Sequence, residues 1–318
     1  MRYFKPLATD PGAFDLTDDA AVLKALGEDI VVTTDAIVEG VHFLPDDPPD
    51  TIARKALRVN LSDLAAKGAT PAGFVLTLAL RSGDETWLTP FARGLGSDAG
   101  LFGCPLLGGD TVSTPGSVMI SITAFGRIAS GKMVHRGGAK PGDRVVVTGT
   151  IGDAALGLDI LKGGAVAAVL ADDAAAREML VGRYRVPQPR NALAKAVRDH
   201  AHAAMDVSDG FAGDLAKLCA ASGVSAAIDA PSIPLSAVAA ALLARGAVGI
   251  EAIVSGGDDY EILCAIPENR FETFAQAAGL AGVAVTSIGT VIAGGSAPRF
   301  LDAQGREIPL ERLSYSHF

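Results

Sequence analysis

Acidic residues recur in this sequence at one kind of place, where an apolar run gives way to a polar turn. Asp35 follows Ile30, Val31 and Val32 with Thr33 and Thr34 between them, and Asp63 closes Asn60-Leu61-Ser62-Asp63. Asp110 ends Gly108-Gly109-Asp110, Asp206 and Asp209 bracket Val207-Ser208, and Asp258-Asp259 follow Gly256-Gly257. Asp18 and Asp19 add a further pair near the start. Carboxylate and hydroxyl oxygens gathered in this way are the donors a hard ion such as magnesium prefers, and magnesium suggests phosphate. Glycines beside three of these acids let the backbone approach a ligand and turn N–H groups toward an anion. Each stretch alone reads equally as an ordinary turn or helix cap. Three glycine–acid turns after strands, divided between two halves of the chain, are not explained as independent caps.

The elements that must position these residues follow from periodicity. Residues 30–32 read as a buried strand, with Thr33 and Asp35 on one face and Thr34 on the other. A carboxylate closing such a strand is costly to bury without a cation beside it. Residues 44–49 form a turn, and Asp50 is placed to cap the helix that follows. In that helix Ile52, Ala56, Val59, Asp63 and Ala66 fall on one stripe, so Asp63 lies on the face to be buried and needs a partner. Further on, Asp206 and Ser208 share a strand face, Asp209 is placed to cap the next helix, and Gly210 keeps the space clear. Arg136, in a glycine-flanked loop, could clamp phosphate, and His42 could touch an anionic or ring substrate; both read equally as ordinary surface or structural residues. His200 and His202 read as surface residues near a helix end.

Two resemblances are false. Residues 126–133 spell GxxxxGK after a strand, but Met133 stands where a P-loop needs Ser or Thr for magnesium, and no helix follows. Gly94-Leu95-Gly96 lacks the third spacing of a dinucleotide fingerprint and lies inside a helical stretch. No Ser/His/Asp arrangement is legible, and no protein nucleophile is implied.

The chain has 318 residues, a net charge of -9, 49% hydrophobic and 20% charged residues. That length predicts two domains. The acidic balance argues against nucleic acid or an anionic membrane surface as a partner. Cys104, Cys219 and Cys264 are scattered in apolar contexts, which supports neither a zinc site nor a disulfide framework. With no apolar span long enough for a bilayer and no leader pattern, a soluble cytoplasmic protein is expected. Strands are expected near residues 73–80, 104–107, 118–126, 144–149, 205–207, 226–229, 283–291 and 299–301, and a further pair at 250–254 and 260–266. Helices are expected at 86–102, 153–182, 191–200, to 221, from 236, and at 271–278, giving an α+β chain that divides into residues 1–138 and 139–318.

Taken together, Asp18-Asp19-Ala20-Ala21, Thr33-Thr34-Asp35, Gly40-Val41-His42-Phe43, residues 60–66 (NLSDLAA), Gly108-Gly109-Asp110-Thr111, residues 206–210 (DVSDG) and residues 256–261 (GGDDYE) closely resemble the thiamine-monophosphate kinases. These belong to the aminoimidazole ribonucleotide synthetase-like ATP-binding superfamily. The resemblance runs almost end to end, finishing at residues 315–318 (YSHF). It implies ATP-dependent phosphorylation of thiamine monophosphate to thiamine diphosphate, a homodimer joined through N-terminal sheets, and ATP between an N-terminal domain and a C-terminal α+β domain that completes the site. By position it makes Asp19, Thr33, Thr34, Asp35, Asp63, Asp110, Asp206 and Asp209 ligands of several magnesium ions. Gly109, Asp110, Arg136 and Ser208 would contact ATP, while His42 and Asp258 would face thiamine phosphate. Two positions depart from the family: Asp258 where a Glu is frequent, and Arg312 where relatives can place an aromatic against the substrate. Two other readings remain at this level, a related ligase or synthetase of the same superfamily and a non-catalytic nucleotide-binding regulator.

Overall fold

A computed structural model describes residues 3–11, 25 and 27–314. It resolves into two compact units, one formed by the chain up to Leu64 with Ala69–Met133, the other by Ala65–Gly68 with the chain from Val134 onward.

In the first unit, β1 (Asp29–Val38), β2 (Thr70–Leu80), β3 (Leu106–Ser113) and β4 (Met119–Ile128) form one sheet in the order β1-β4-β2-β3. β4 runs antiparallel to β1 and to β2, whereas β3 is parallel to β2. The parallel pair needs a crossover, which α2 (Glu85–Leu101) supplies. β1 differs from its expectation. It is an edge strand, and among the described residues only one of its faces is covered: Val31 and Ile37 are buried, whereas Val32 is 57% exposed. It also continues through Thr33, Thr34 and Asp35 to Val38, because its ladder with β4 persists that far.

α1 (Pro49–Ala66) is wrapped nearly all round, with Leu57, Leu61 and Leu64 buried off the expected stripe. Asp50 sits inside its first turn, where it complements the helix dipole and is not the cap; Pro49 takes the first helical position. Buried Asp98 of α2 ties the two helices together, accepting from Arg58 Nε at 2.5 Å and Nη2 at 2.9 Å and from Arg54 Nε at 3.3 Å. Gly94 is a packing glycine: a Cβ there would lie 2.3 Å from the Asp50 carbonyl oxygen.

The second unit carries a sheet in the order β10-β7-β9-β5-β8-β6. Its strands are β5 (Arg144–Thr148), β6 (Ala203–Asp206), β7 (Val224–Asp229), β8 (Ile262–Ile266), β9 (Val285–Ala293) and β10 (Arg299–Leu301). Alternation along β5 sends Val145 and Val147 into one core and Val146 into another. The first core holds Phe211 and Leu215 of α7 (Phe211–Ser222); the second holds Val197 of α6 (Ala194–His200) and Phe274 of α10 (Phe271–Leu280). The sheet is therefore covered by helices on both faces.

Two helical expectations change. Residues 153–182 are not one helical tract but α3 (Asp153–Leu161), α4 (Ala165–Val169) and α5 (Ala174–Arg185), parted where Gly163-Gly164 and Asp172-Asp173 intervene. Residues 250–254 form the short helix α9 (Ile250–Val254) rather than a strand, after α8 (Ala237–Ala244) with its Ser236 cap. The three cysteines are free and buried, and burial pushes Cys104 and Cys264 up to about 12 and Cys219 to about 11. Among the described residues no helix is long and apolar enough to cross a membrane.

Candidate active site

In the first unit the strand face divides the acids and hydroxyls as alternation requires. The Thr33 hydroxyl donates to Asp63 Oδ2, joining β1 to α1, and Asp35 lies two residues along on the same face. Thr34 points the other way, donating to the Ile122 carbonyl at 3.2 Å and accepting from the Thr123 hydroxyl at 3.0 Å. His42 sits in the turn after β1. Its Nδ1 accepts the Val38 N–H at 3.1 Å, and buried Lys55 donates to its carbonyl at 2.8 Å, so both ring and backbone are held.

Gly108-Gly109-Asp110-Thr111 is not the expected turn; it lies within β3, paired with β2 through Val75, Leu76, Thr77 and Leu78. Gly109 is required there by close approach, since an added Cβ would come within 1.9 Å of the Leu76 carbonyl oxygen. A cavity of about 210 Å³ opens beside it, with Phe4, Leu76, Leu78 and Leu106 as apolar wall and Asp110 and Thr111 as polar edge. Asp110 is exposed, and its Oδ1 accepts the Thr111 N–H at 2.8 Å. β1 and β3 are the two edges of the sheet. Three strand spacings, roughly 14 Å, therefore separate Thr34 and Asp35 from Asp110 within one copy. Asp19 lies outside the described residues.

In the second unit two of the sequence motifs become one structure. The Val207 N–H donates to the Glu261 carbonyl, the Tyr260 N–H to the Val207 carbonyl and the Asp258 N–H to the Ser208 carbonyl, each at 2.8 Å. Glycine permits this contact: a Cβ on Gly257 would lie 2.5 Å from the Ser208 carbonyl oxygen, and one on Gly210 would lie 2.6 Å from that of Ser255. The docked loop is strained, with Asp258 at φ +73° and Tyr260 at φ +51°. Each such residue costs about 1–3 kcal/mol, so the surroundings must over-determine it.

They do so through buried charge. Glu261 is fully buried and accepts from Arg183 Nη2 at 2.7 Å, from Arg190 Nε at 2.6 Å and from the Thr148 hydroxyl at 2.6 Å. Asp259, also buried, accepts the Gly152 N–H at 2.8 Å through Oδ2, while its Oδ1 has no partner among the described residues. Burial holds the Asp259 carboxyl well above its ordinary range, against the opposing pull of the Gly152 N–H and Arg183.

Asp209 does not cap α7; Gly210 occupies that position without a side-chain bond. Instead Asp209 Oδ2 lies 2.6 Å from Lys217 Nζ. Buried Asp214 holds the turn from beneath, with Oδ2 accepting the Ser208 and Asp209 N–H groups at 3.0 Å and Oδ1 accepting from Lys217 at 2.8 Å. Burial pushes the Asp214 carboxyl up, and Lys217 opposes it. Asp206 is buried and Ser208 half-buried at the start of the same turn. Arg136 is exposed, in a loop whose Gly138 and Ala139 N–H groups donate to Ser222 Oγ at 3.1 Å. That is the far end of the 12-residue α7 from Ser208, about 18 Å away along the helix. His202, expected at the surface, is half-buried, and its Nδ1 lies 3.0 Å from Asp143 Oδ2.

The donors that could hold a metal are all oxygen, which suits magnesium. Among the described residues no three His, Cys, Asp or Glu side chains gather into a closed cage. Ions that take one or two protein carboxylates and complete their shell with water and phosphate fit such a donor set, and magnesium is one. Sequence reasoning missed Lys55, Arg183, Arg190, Asp214 and Lys217. Only the last two left a signal, an i, i+3 acid–base pair on a helix directly after the Asp-Val-Ser-Asp-Gly turn.

Residues 17–128 match the AIR synthase related protein N-terminal domain, and residues 140–300 match the corresponding C-terminal domain. The chain is 46% identical to a thiamine-monophosphate kinase of Caulobacter vibrioides, over 99% of this chain and 89% of that protein. The crystal structure of a thiamine-monophosphate kinase from Stenotrophomonas maltophilia has TM-score 0.83 and 37% identity, covering 92% of this chain and 91% of that one. A structure of AaThiL complexed with AMPPCP and TMP has TM-score 0.79 and 29% identity, covering 95% and 91%. With both domains matched in order and the likeness extending over nearly the whole length, the chain belongs to the AIR synthase related family and, within it, to the thiamine-monophosphate kinases.

Proposed function

We propose that this protein transfers the terminal phosphoryl group of ATP to thiamine monophosphate, giving thiamine diphosphate and ADP. The reading is carried by the loop of residues 256–261, hydrogen-bonded to the Asp206–Gly210 turn and held in a strained conformation that presents Asp258 beside Ser208. The near full-length similarity to thiamine-monophosphate kinases, one of them solved with AMPPCP and TMP, supports the substrate pair.

A phosphate monoester is largely deprotonated at neutral pH, so proton removal is a minor problem. The barrier lies in bringing two anions together in line. Magnesium, when bound, supplies positive charge between the two phosphates. In this proposal Asp19, Thr33, Thr34, Asp35, Asp63, Asp110, Asp206 and Asp209 hold several such ions. The Thr33 hydroxyl keeps Asp63 turned toward β1. Gly109 and Asp110 give the nucleotide a bare strand edge, and Ser208 and Arg136 complete its contacts. His42 and Asp258 face thiamine phosphate, and transfer is direct, without a phosphoenzyme.

The same reading takes residues 1–138 as the ATP, magnesium and dimerisation domain and residues 139–318 as the domain that completes the site, in a cytoplasmic homodimer. A second copy meeting the exposed face of β1 would offer one route around the sheet's separation of Thr34 from Asp110. The decisive experiment incubates purified protein with magnesium, ATP and thiamine monophosphate and identifies the products by mass. Thiamine diphosphate and ADP in equal amounts are expected, and their absence overturns the reading.

A further inference from the structure

Lys217 is used by nothing in the proposed reaction, yet it is bonded to one of its acids. Its ammonium lies 2.6 Å from Asp209 Oδ2 and 2.8 Å from Asp214 Oδ1. Asp214 is fully buried, and its other oxygen already receives the Ser208 and Asp209 N–H groups. Lys217 cannot be given up at that position without leaving a buried carboxylate short of its counter-charge. At Asp209, which is half-exposed, the same ammonium can be exchanged for another cation. Asp206 on β6 and Asp258 in the facing loop contribute further carboxylates to this end of the unit.

We propose that Lys217 is a built-in competitor for Asp209, held in place by Asp214, that weakens divalent-cation binding at this turn. The inference rests on Asp209 being a cation ligand, as in the function proposed above. An ammonium in direct contact occupies one carboxylate oxygen and lowers the negative potential that would attract a divalent ion. Because Asp214 keeps it close, its repulsion of an arriving ion persists after Asp209 turns away. A lysine that merely stapled the first turns of α7 would change stability and leave cation affinity alone.

The test titrates manganese(II) alone into the full-length protein, without nucleotide, and follows free manganese by electron paramagnetic resonance. Asp209→Asn defines the binding class that depends on this acid. Lys217→Met, which keeps the stem and removes the charge, is expected to bind that class about 3- to 10-fold more tightly. Lys217→Arg, which restores a cation, is expected to return the affinity to the wild-type value. Adding Asp214→Asn to Lys217→Met removes the uncompensated buried charge and should give the same gain if the single variant does not fold. Unchanged or weaker binding in the charge-removed variants, with Asp209→Asn still weakening it, overturns the role of Lys217 and leaves the reading of Asp209 standing. If Asp209→Asn leaves every binding class unchanged, Asp209 is not a ligand and both fall together.

Discussion

The acids of the two units are held in different ways. In the first, Asp63 is met by a neutral hydroxyl from Thr33, and Asp110 stands exposed at a sheet edge, accepting its neighbour's N–H. In the second, Asp209 and Asp214 share Lys217, Glu261 is bound by Arg183 and Arg190, and Asp259 is buried against the Gly152 N–H. A carboxylate met by a hydroxyl keeps its charge available to an arriving cation, whereas one matched to Arg or Lys must first exchange that partner, which half-exposed Asp209 can do and buried Glu261 cannot. In the first unit Asp63 and Asp110 keep their charge available, although Asp98 there is matched to Arg54 and Arg58; in the second, buried Glu261 and Asp259 help hold the strained loop still.

That contrast can be broken by mutation. Asp63→Asn keeps the oxygen that accepts from Thr33 and removes only the charge. It should lower kcat/KM at least ~100-fold, the scale of losing one charge-stabilising group, while leaving the thermal midpoint nearly unchanged. Steady-state kinetics beside a melting curve checks this, and near-wild-type turnover would remove Asp63 from the site. A middle-sized effect is expected from Gly109→Ala, whose Cβ must displace the Leu76 carbonyl, at a cost of about 1–3 kcal/mol in denaturant unfolding. Gly108→Ala, where a Cβ meets nothing within 4 Å, is the matched control and should unfold like the wild type.

The smallest effect concerns Asp259, and it should appear in stability rather than in chemistry. A carboxyl raised by burial binds its proton more readily in the native state than in the unfolded one. Its contribution is therefore complete below the ordinary value of 3.8 and is lost as pH rises through the raised native value. Asp259→Asn, which still accepts the Gly152 N–H, should flatten the fall in thermal midpoint from about pH 4 upward. A slope identical to wild type would show that Arg183 keeps Asp259 ionised in the native protein.

Much of this was legible in the residues because it depends on local rules. Period-2 alternation placed Thr33 and Asp35 on one face and Thr34 on the other, as the strand has them. The strand expected at residues 299–301 has the bounds of β10, and Ser236 caps α8 where the sequence predicts a helix start. Gly108-Gly109 misled because paired glycines signal a turn as readily as a close approach of strands, and only the Leu76 carbonyl distinguishes the two. Residues 250–254 misled because a short apolar run has no period that separates helix from strand. Arg183 and Arg190 could not have been assigned to Glu261 at all, being separated from it by more than seventy residues without a pattern between them.

By itself the sequence determined that oxygen donors and glycines alternate with apolar strands in two halves of the chain, because side-chain chemistry and backbone periodicity are local properties. Tertiary structure alone decided which acids keep their charge and which have it matched. That depends on the cation or hydroxyl that folding brings to within about 3 Å, and proximity of that kind between distant residues is written in no neighbouring stretch of the chain.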